Sequence, residues 1–328
     1  MTSRSMRTKL TFPRDEAPHF TPVEWWYYSG HLWAGQERPF AFHCAFFLNQ
    51  MFMRPPLLSA HCSVGDQAKR EFTWAERIGS LPLEAIGRPP LRLNLGDWHA
   101  EGVAGKYSLC VGTDDYQLSL SLYDQHSAPT VHGLYNYVSY GKGGKSWYYS
   151  RPRLHASGSL VCRGQRHQVT GTVWLDHQWG EFDLTVIRGW DWLGLHLGDG
   201  RSLMLYRILL CDHLPQQHGF LGTLVAADGT PSPVSAPETT IAPLRFWNSP
   251  RTGQRYPIEW RIALPAQDVD LRATAAITGC ELSPTRSPGL HYWEGGMVLN
   301  SSTGTMGRGY GEFFRRDFSV WKVPRTTG

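Results

Sequence analysis

The sequence predicts an all-β protein of the sandwich or barrel type with very little helix. Apolar residues alternate with polar ones at a period of two along most of the chain, which is the pattern of half-buried strands. Turn residues separate these segments, and Gly198-Asp199-Gly200 is typical of a hairpin turn. The best helical candidate is short and lies near Trp74–Ile78, closed by Gly79. Many short strands between such turns favour a sandwich or a barrel.

The alternating segments follow one another along the whole chain. In residues 40–46 aromatic side chains share one face, and in residues 118–122 leucines lie opposite serines. The same alternation continues through residues 169–176, 190–197, 203–210 and 258–264. Residues 228–243 are rich in Pro, Ser, Thr and Ala, and strand patterns continue on both sides, so we expect a surface loop there.

The composition indicates a large apolar interior that is rich in rings. The chain has 328 residues, enough for one large domain or two ordinary ones. It contains 14 Trp, 14 Tyr and 14 Phe residues, and each such ring buries roughly 150–250 Å². This surplus predicts a large core, a ring-lined pocket, or both.

Several function classes lack their signatures in the sequence. The net charge is +4 without a run of Lys or Arg, so we expect no nucleic-acid partner. The GxGxxG, Walker, GxSxG, HxH and HExxH patterns are absent, so we expect no cofactor and no metal. The six cysteines form no CxxC pair, and neither a signal peptide nor a long apolar span is apparent. We therefore expect reduced thiols, a cytoplasmic location and no stable membrane insertion.

The segment Glu24-Trp25-Trp26-Tyr27-Tyr28 places a carboxyl group among rings. In a strand, Glu24, Trp26 and Tyr28 point to one face and the other two rings to the opposite face. Glu24 could bond to backbone amides or to an arginine and fix the strand. Alternatively, its carboxyl could face a ring-lined cavity.

The segment from Trp174 to Gly180 is the densest combination of polar groups and rings in the chain. Trp174, Asp176 and Gln178 share one face of a strand, and His177 and Trp179 share the other. Desolvation beside indole rings would raise the pKa of Asp176, and such a group can donate a proton near neutral pH. Alternatively, Asp176 caps a turn and His177 is bonded in the core.

A third group of residues combines rings, arginines and carboxyls: Tyr148, Tyr149, Arg151, Arg153, Trp190, Asp191, Trp192, Tyr292 and Glu294. Arg151 or Arg153 could pair with Asp191 or Glu294, and a structural ion pair is the expected use of any one of them. The candidate catalytic residues from the three groups are Asp176, Glu24, His177 and Asp191. The candidate substrate-binding residues are Trp26, Tyr28, Tyr149, Arg153, Trp174, Trp179, Trp190, Trp192, Tyr292 and Glu294.

These groups also carry a family resemblance. The motifs are Glu24–Tyr28 with Gly30-His31-Leu32, Tyr149-Ser150 with Pro152-Arg153-Leu154, Asp176-His177 with Trp179-Gly180, Gly189–Trp192, Asp199-Gly200-Arg201 with Met204-Leu205-Tyr206, Tyr292–Gly295, and Gly309-Tyr310 with Glu312. As a set they resemble the AttH-like, lipocalin-like proteins, a group that includes the carotenoid 1,2-hydratases. The match extends over nearly the whole chain.

The resemblance implies two lipocalin-like β domains packed together, which we expect at residues 1–183 and 184–328, with a ligand pocket within or between them. It implies acid-catalysed hydration of an isoprenoid double bond, or intramolecular cycloaddition as in related pericyclases. The aspartate thought to donate the proton in the hydratases would be Asp176. We therefore expect a biosynthetic enzyme that cyclises or hydrates an apolar polyene or polyketide-type substrate. The alternative is a non-catalytic, lipocalin-like carrier of an apolar ligand, and the sequence leaves the oligomeric state open.

Overall fold

Two antiparallel sheets form nearly all of the ordered structure. The structure, a computed structural model, describes residues 9–50, 55–126, 128–133, 136–183, 185–211, 219–234, 239–284, 291–301 and 304–316. In this part of the chain the helices are 3-10 turns at Arg14–Glu16, Leu83–Ala85, Gly141–Gly143 and Pro265–Gln267. The predicted all-β class with very little helix is confirmed.

The first sheet holds the strands from the first half of the chain. They are β1 (Val23–Ala34), β2 (Arg38–Asn49), β3 (Leu57–Asp66), β4 (Glu71–Ser80), β5 (Leu91–Leu95), β6 (Trp98–Val103), β7 (Lys106–Gly112), β8 (Tyr116–Asp124), β9 (Thr130–Val131), β10 (Val138–Ser139), β11 (Gly144–Cys162) and β12 (Gln165–Phe182). Their order is β4-β3-β2-β1-β12-β11-β8-β7-β6-β5, and β9 and β10 pair with β11. The sheet curls around an apolar core of its own.

The second sheet holds the strands that follow. They are β13 (Ile187–Leu197), β14 (Ser202–Leu210), β15 (Leu221–Val225), β16 (Pro231–Val234), β17 (Thr240–Asn248), β18 (Arg255–Leu264), β19 (Val269–Ala275), β20 (Glu281–Leu282), β21 (Tyr292–Ser301) and β22 (Gly304–Arg315). Their order is β16-β15-β14-β13-β22-β21-β19-β18-β17, with β20 paired to β21. This sheet also encloses its own apolar core.

A third apolar cluster lies between the two sheets, and we call it the inter-sheet cluster. Its buried members are Tyr27, Ala41, Ala45, Val138, Tyr140, Tyr148, Trp174, Ile187, Trp192, Met204, Tyr206, Ile208, Leu210 and Tyr310. Strands β1, β2, β11 and β12 therefore bury both faces. On β1, for example, Trp26 and Tyr28 belong to the core of the first sheet and Tyr27 to the inter-sheet cluster.

Two local predictions are wrong. The predicted helix near Trp74–Ile78 lies inside β4, where Trp74 pairs with Ser63 of β3 and packs against buried residues of the second sheet. Most residues of β4 are only partly buried, so their pattern lacks a clear period of two. The predicted surface loop at 228–243 contains β16 and the beginning of β17, which pair with β15 and β18.

The six cysteines are free thiols. Cys110 and Cys211 are partly exposed, and the other four are buried. Within the described ranges, no helix is long and apolar enough to cross a membrane.

Candidate active site between the two sheets

Strand β12 points a carboxyl group into the inter-sheet cluster. Trp174, Asp176 and Gln178 face the second sheet, whereas Val173 and Leu175 face the core of the first. The shared face of Trp174, Asp176 and Gln178 is the one that period-two alternation predicts. Asp176 is 4% exposed, so its carboxyl lies in a nearly water-free environment.

Three side chains donate hydrogen bonds to the Asp176 carboxyl. The Trp174 Nε1 donates to Oδ1 at 2.6 Å, and the Ser150 hydroxyl donates to the same oxygen. The Tyr148 hydroxyl donates to Oδ2 at 2.6 Å and accepts a hydrogen bond from Trp192 Nε1 at 3.0 Å. Burial raises the pKa of Asp176 to about 7, against the opposing effect of these hydrogen bonds. The group therefore changes its protonation state near neutral pH.

A chain of hydrogen bonds connects Asp176 to the second sheet. Ser150 donates to Asp176, and its oxygen lies 2.7 Å from His132 Nε2. The other ring nitrogen of His132 lies 2.9 Å from the Thr223 hydroxyl on β15. Burial lowers the pKa of His132 to about 3, so the ring is neutral. Because Ser150 uses its proton on Asp176, Nε2 of His132 donates to Ser150 and Nδ1 accepts from Thr223.

Two glutamates of the second sheet lie in the same region. Glu294 on β21 and Glu312 on β22 are directly opposite each other in the strand register. The Tyr27 hydroxyl donates to Glu294 Oε2 at 2.8 Å, and Tyr27 is itself the register partner of Asp176. The contact between Tyr27 and Glu294 therefore joins the two sheets beside Asp176.

Both glutamates bind protons more strongly than usual. Burial, together with the neighbouring charge of Glu312, raises the pKa of Glu294 well above its usual value. Burial raises the pKa of Glu312 to about 8. A hydrogen bond from Trp190 opposes this increase, and the negative charge of Asp176 adds to the increase. Three carboxyls with raised pKa values in one region are typical of acid–base sites.

The rings between the sheets pack closely around these carboxyls. The Trp174 and Trp192 rings meet edge to face at 5.8 Å, and Tyr27 meets Trp192 edge to face at 5.2 Å. Trp174 and Trp192 are 1% and 3% exposed, so side chains fill the space around them and the hollow expected there is closed. Trp190 and Glu312 are only half-buried, so the cluster meets solvent at their side.

A small cavity lies next to Glu294. It has a volume of about 10 Å³, which is room for roughly one water molecule. Its lining includes Ala41 of β2, Gly65 of β3, Glu294 and Gly296 of β21, and Tyr310 of β22.

Other predicted site residues lie on the inner face of the first sheet. They are Glu24, Trp26, Tyr28, Tyr149, His177 and Trp179. Glu24 Oε1 lies 2.7 Å from both His19 Nδ1 and His177 Nε2, and the backbone N–H of His19 donates to Oε2 at 2.7 Å. Burial raises the pKa of Glu24, but His19 and His177 lower it by more, so the net pKa is below normal. Glu24 thus connects the N-terminal segment to β1 and β12 through one backbone N–H, as expected, and through two histidines in place of the expected arginine.

The suggested pairing of Arg151 or Arg153 with Asp191 or Glu294 is wrong, whereas Arg151 and Asp191 each form structural ion pairs, as expected. Asp191 points into the second sheet, where Arg207 and Arg315 bind it at 2.7 and 2.5 Å. Arg151 points into the first sheet and binds Glu16 and Asp124. Arg153 follows an irregularity in β11 and donates to the Arg201 backbone carbonyl at 3.0 Å. Alternation places Arg151 and Asp191 in different cores, so they cannot meet.

Comparison with known proteins places the chain in a family. The family model described as AttH-like matches residues 4–314. The chain belongs to the AttH-like family. An AttH protein from Nitrosomonas europaea is 29% identical, with a TM-score of 0.81 over 93% of this chain and 96% of that one. No curated protein matches the sequence.

Two further solved structures share the fold of this AttH-like protein. Kievitone hydratase from Nectria haematococca is 15% identical, with a TM-score of 0.77 over 95% of this chain and 94% of that one. CghA, solved with Sch210972, is 12% identical, with a TM-score of 0.58 over 90% and 89% of the two chains. The predicted AttH-like resemblance is confirmed.

Of the predicted residues, the structure brings Trp174, Asp176, Trp192 and Glu294 together between the sheets of this AttH-like protein. Trp190 lies at the edge of this region, 4.3 Å from the Phe314 ring, and Tyr292 bonds to His61. The candidates on the inner face of the first sheet and Asp191 lie elsewhere.

Sequence reasoning did not select Glu312, Tyr27, Tyr148 or His132 as site residues. A signal was present for Glu312, because alternation puts it on the face of Tyr310, opposite Gly309 and Gly311. No comparable signal identified His132, which lies outside the regular strands.

One group in the AttH-like protein has the atom types of a metal site. The ligand atoms of His19, Glu24 and His177 all lie within 4.8 Å of one another. Both histidine nitrogens are hydrogen-bonded to the same oxygen of Glu24, and a metal ion would have to replace both bonds. The contacts of this group are therefore explained by hydrogen bonding.

Proposed function

We propose that this AttH-like protein is an enzyme that protonates a carbon–carbon double bond of an apolar small molecule and adds water to it. The observation that carries the proposal is the Asp176 carboxyl, which is buried among indole rings and titrates near pH 7. A carboxylic acid that keeps its proton near neutral pH can act as a general acid.

The hydrogen bonds indicate where the proton of Asp176 resides. Oδ1 already accepts two hydrogen bonds, from Trp174 and Ser150, whereas Oδ2 lies against the Tyr148 hydroxyl. The proton therefore belongs on Oδ2, which then donates to the Tyr148 oxygen. In that state the Tyr148 hydroxyl hydrogen points away from the Asp176 carboxyl. Tyr148 then donates this proton to the substrate and takes the proton of Asp176 in its place.

The rings would stabilise the intermediate. The double bond takes the proton to form a new C–H bond, which leaves a carbocation on the other carbon. The faces of Trp174 and Trp192 lie beside Asp176, and each could stabilise a cation by about 0.5–2 kcal/mol. Water then forms the C–O bond and loses a proton. The chain from Thr223 through His132 to Ser150 offers a route to return a proton to Asp176.

The fold shared with kievitone hydratase supports a hydratase of this architecture, and the resemblance to pericyclases keeps a cyclase as the second candidate. The acid at Asp176 favours hydration, because a cycloaddition requires no proton donor. Since the rings are closely packed, a substrate must displace side chains, and the half-buried edge at Trp190 and Glu312 is the expected entrance.

Incubation with alkenes in ¹⁸O-labelled water tests the proposal. The panel holds prenylated phenols, acyclic isoprenoid polyenes and conjugated polyketide-type polyenes, analysed by mass spectrometry. We expect at least one to gain a labelled water, and Asp176→Asn and Tyr148→Phe to lower that rate by roughly 10²–10⁴-fold. Asp114→Asn, at an exposed position, is the matched control.

Other products would contradict hydration. An isomer of unchanged mass, formed equally fast by Asp176→Asn, would identify a cyclase. A compound that binds tightly and is released unchanged would identify a carrier. Turnover by Asp176→Asn at the wild-type rate would exclude Asp176 as the acid.

A further inference from the structure

Two buried polar atoms face each other between the sheets without a partner. His43 Nε2 on β2 and Glu294 Oε1 on β21 are 3.7 Å apart, which is longer than a hydrogen bond. Neither atom has another hydrogen-bond partner among the described residues, and both side chains are fully buried. Buried polar atoms are nearly always satisfied, so this pair calls for a small polar ligand.

The other atoms of both side chains are fixed by neighbours. Glu294 Oε2 accepts the hydrogen bond from Tyr27. His43 Nδ1 lies 2.9 Å from the Ser63 hydroxyl, which also hydrogen-bonds to Tyr310. Ser63 has one proton, and in the arrangement where it donates that proton to Tyr310, its oxygen accepts from Nδ1 of His43. We therefore assign the His43 proton to Nδ1, so that Nε2 presents a free lone pair.

The separation of the two atoms suits one water molecule. A cavity of about 10 Å³ adjoins Glu294 and is lined by Ala41, which shares the face of His43 on β2, while His43 itself is not part of the lining. An oxygen roughly 2.8 Å from both unpartnered atoms can bridge a separation of 3.7 Å. Such an oxygen would donate to His43 Nε2 and bond to Glu294 Oε1.

We infer that His43 and Glu294 bind the water molecule that adds to the substrate, an inference that rests on the proposed hydration. As the water oxygen forms the C–O bond to the carbocation, its O–H bond breaks and the proton passes to Nε2 of His43. Tyr27 connects this site to the acid, because it is bonded to Glu294 and is the register partner of Asp176. Burial lowers the pKa of His43 well below its usual value, so the ring is neutral before the step, and the proton comes from the strongly acidic oxygen of the newly formed C–O bond.

Water itself is the probe in the first experiment. A high-resolution crystal structure of the full chain should show an ordered oxygen within hydrogen-bond distance of both atoms. Long-range ¹H–¹⁵N spectra should show the proton of His43 on Nδ1. A direct bond between His43 and Glu294, or a proton on Nε2, would overturn the inference.

The second experiment separates water addition from protonation. With an alkene that the wild-type protein hydrates, in D₂O, His43→Gln should reduce water addition at least tenfold. It should still incorporate deuterium at the alkene carbon, since Asp176 remains. Ser63→Ala, a milder change, should reduce addition in the same direction if His43→Gln folds poorly. His99→Gln, in β6 of the first sheet, is the matched control.

The outcomes distinguish the two proposals. Hydration by His43→Gln and Ser63→Ala at the wild-type rate overturns the water site and leaves the hydratase function standing. If the wild-type protein hydrates no alkene of the panel, the hydratase proposal fails, and the crystal and spectral results decide the water site independently.

Discussion

Replacing Asp176 with Asn should make the protein progressively more stable than the wild type as the pH rises. The pKa of Asp176 is 3.8 when unperturbed and about 7 in the folded protein. The folded state therefore holds the proton more strongly than the unfolded state. This contribution to stability is complete below pH 3.8 and is lost as the pH rises to about 7.

The magnitude follows from the pH interval. Two pH units separate pH 5 from the folded pKa of about 7, and each unit corresponds to about 1.36 kcal/mol. Between pH 5 and pH 8.5 the wild type should thus lose about 3 kcal/mol relative to Asp176→Asn. At pH 5 the Nδ2 of the asparagine can donate to the Tyr148 oxygen as the protonated Asp176 does, so the two proteins make equivalent bonds there, and the difference develops as Asp176 ionises. Without the Asp176 charge, Glu312 ionises more easily, which acts in the same direction.

Urea unfolding followed by far-UV circular dichroism measures the effect for wild type, Asp176→Asn and the exposed control Asp114→Asn. The quantity to compare is the difference between variant and wild type at each pH, because the other carboxyls largely cancel in it. A difference that stays constant from pH 5 to pH 8.5 would show that Asp176 has an ordinary pKa. A wild type that gains stability over this range relative to Asp176→Asn would show that the carboxylate is stabilising, which contradicts the reasoning.

Three further changes test other parts of the structure. Arg151→Met should lower the free energy of unfolding by about 3–5 kcal/mol, because it leaves the buried carboxylates of Glu16 and Asp124 without their cation. A loss below about 1 kcal/mol in urea unfolding would contradict this. Gly194→Ala places a Cβ 2.4 Å from the Trp192 ring, so we expect the free energy of unfolding to fall by about 1–3 kcal/mol and the near-UV circular dichroism spectrum to change. An unchanged spectrum would show that the ring accommodates the methyl group. Thr223→Val removes the hydrogen bond between Thr223 and His132, so steady-state hydration should slow several-fold while the first turnover keeps its rate. Equal slowing of both would contradict a role of this hydrogen-bond chain in returning the proton.

Alternation along single strands could be predicted from the sequence, and long-range pairing could not. The shared face of Trp174 and Asp176 followed from a period of two and is present in the structure. The contact between Tyr27 and Glu294 spans 267 positions, and no local pattern indicates it. Alternation also could not choose the face for Glu24, because both faces of β1 are apolar and either could line a site.

The errors have the same physical origin. A strand buried on both faces loses the contrast between polar and apolar sides that normally identifies its inner face. A pairing of Arg151 with Asp191 was one of the suggested contacts, yet Arg151 binds Glu16 of the N-terminal 3-10 turn and Asp124 of its own sheet. Asp191 binds Arg207 of the second sheet. Predicting such pairs requires knowing which sheet each face meets.

The distribution of cores explains why the carboxyls lie between the sheets. Each sheet encloses its own apolar cluster, so neither depends on Asp176, Glu294 or Glu312 to bury its apolar surface. Buried carboxyls lower stability once they ionise, and well-packed apolar residues of similar size would be at least as stable. The same desolvation that lowers stability gives Asp176 a pKa of about 7 and thus a transferable proton. The proposed role in chemistry would account for these side chains at this position, whereas burial of apolar surface does not require them.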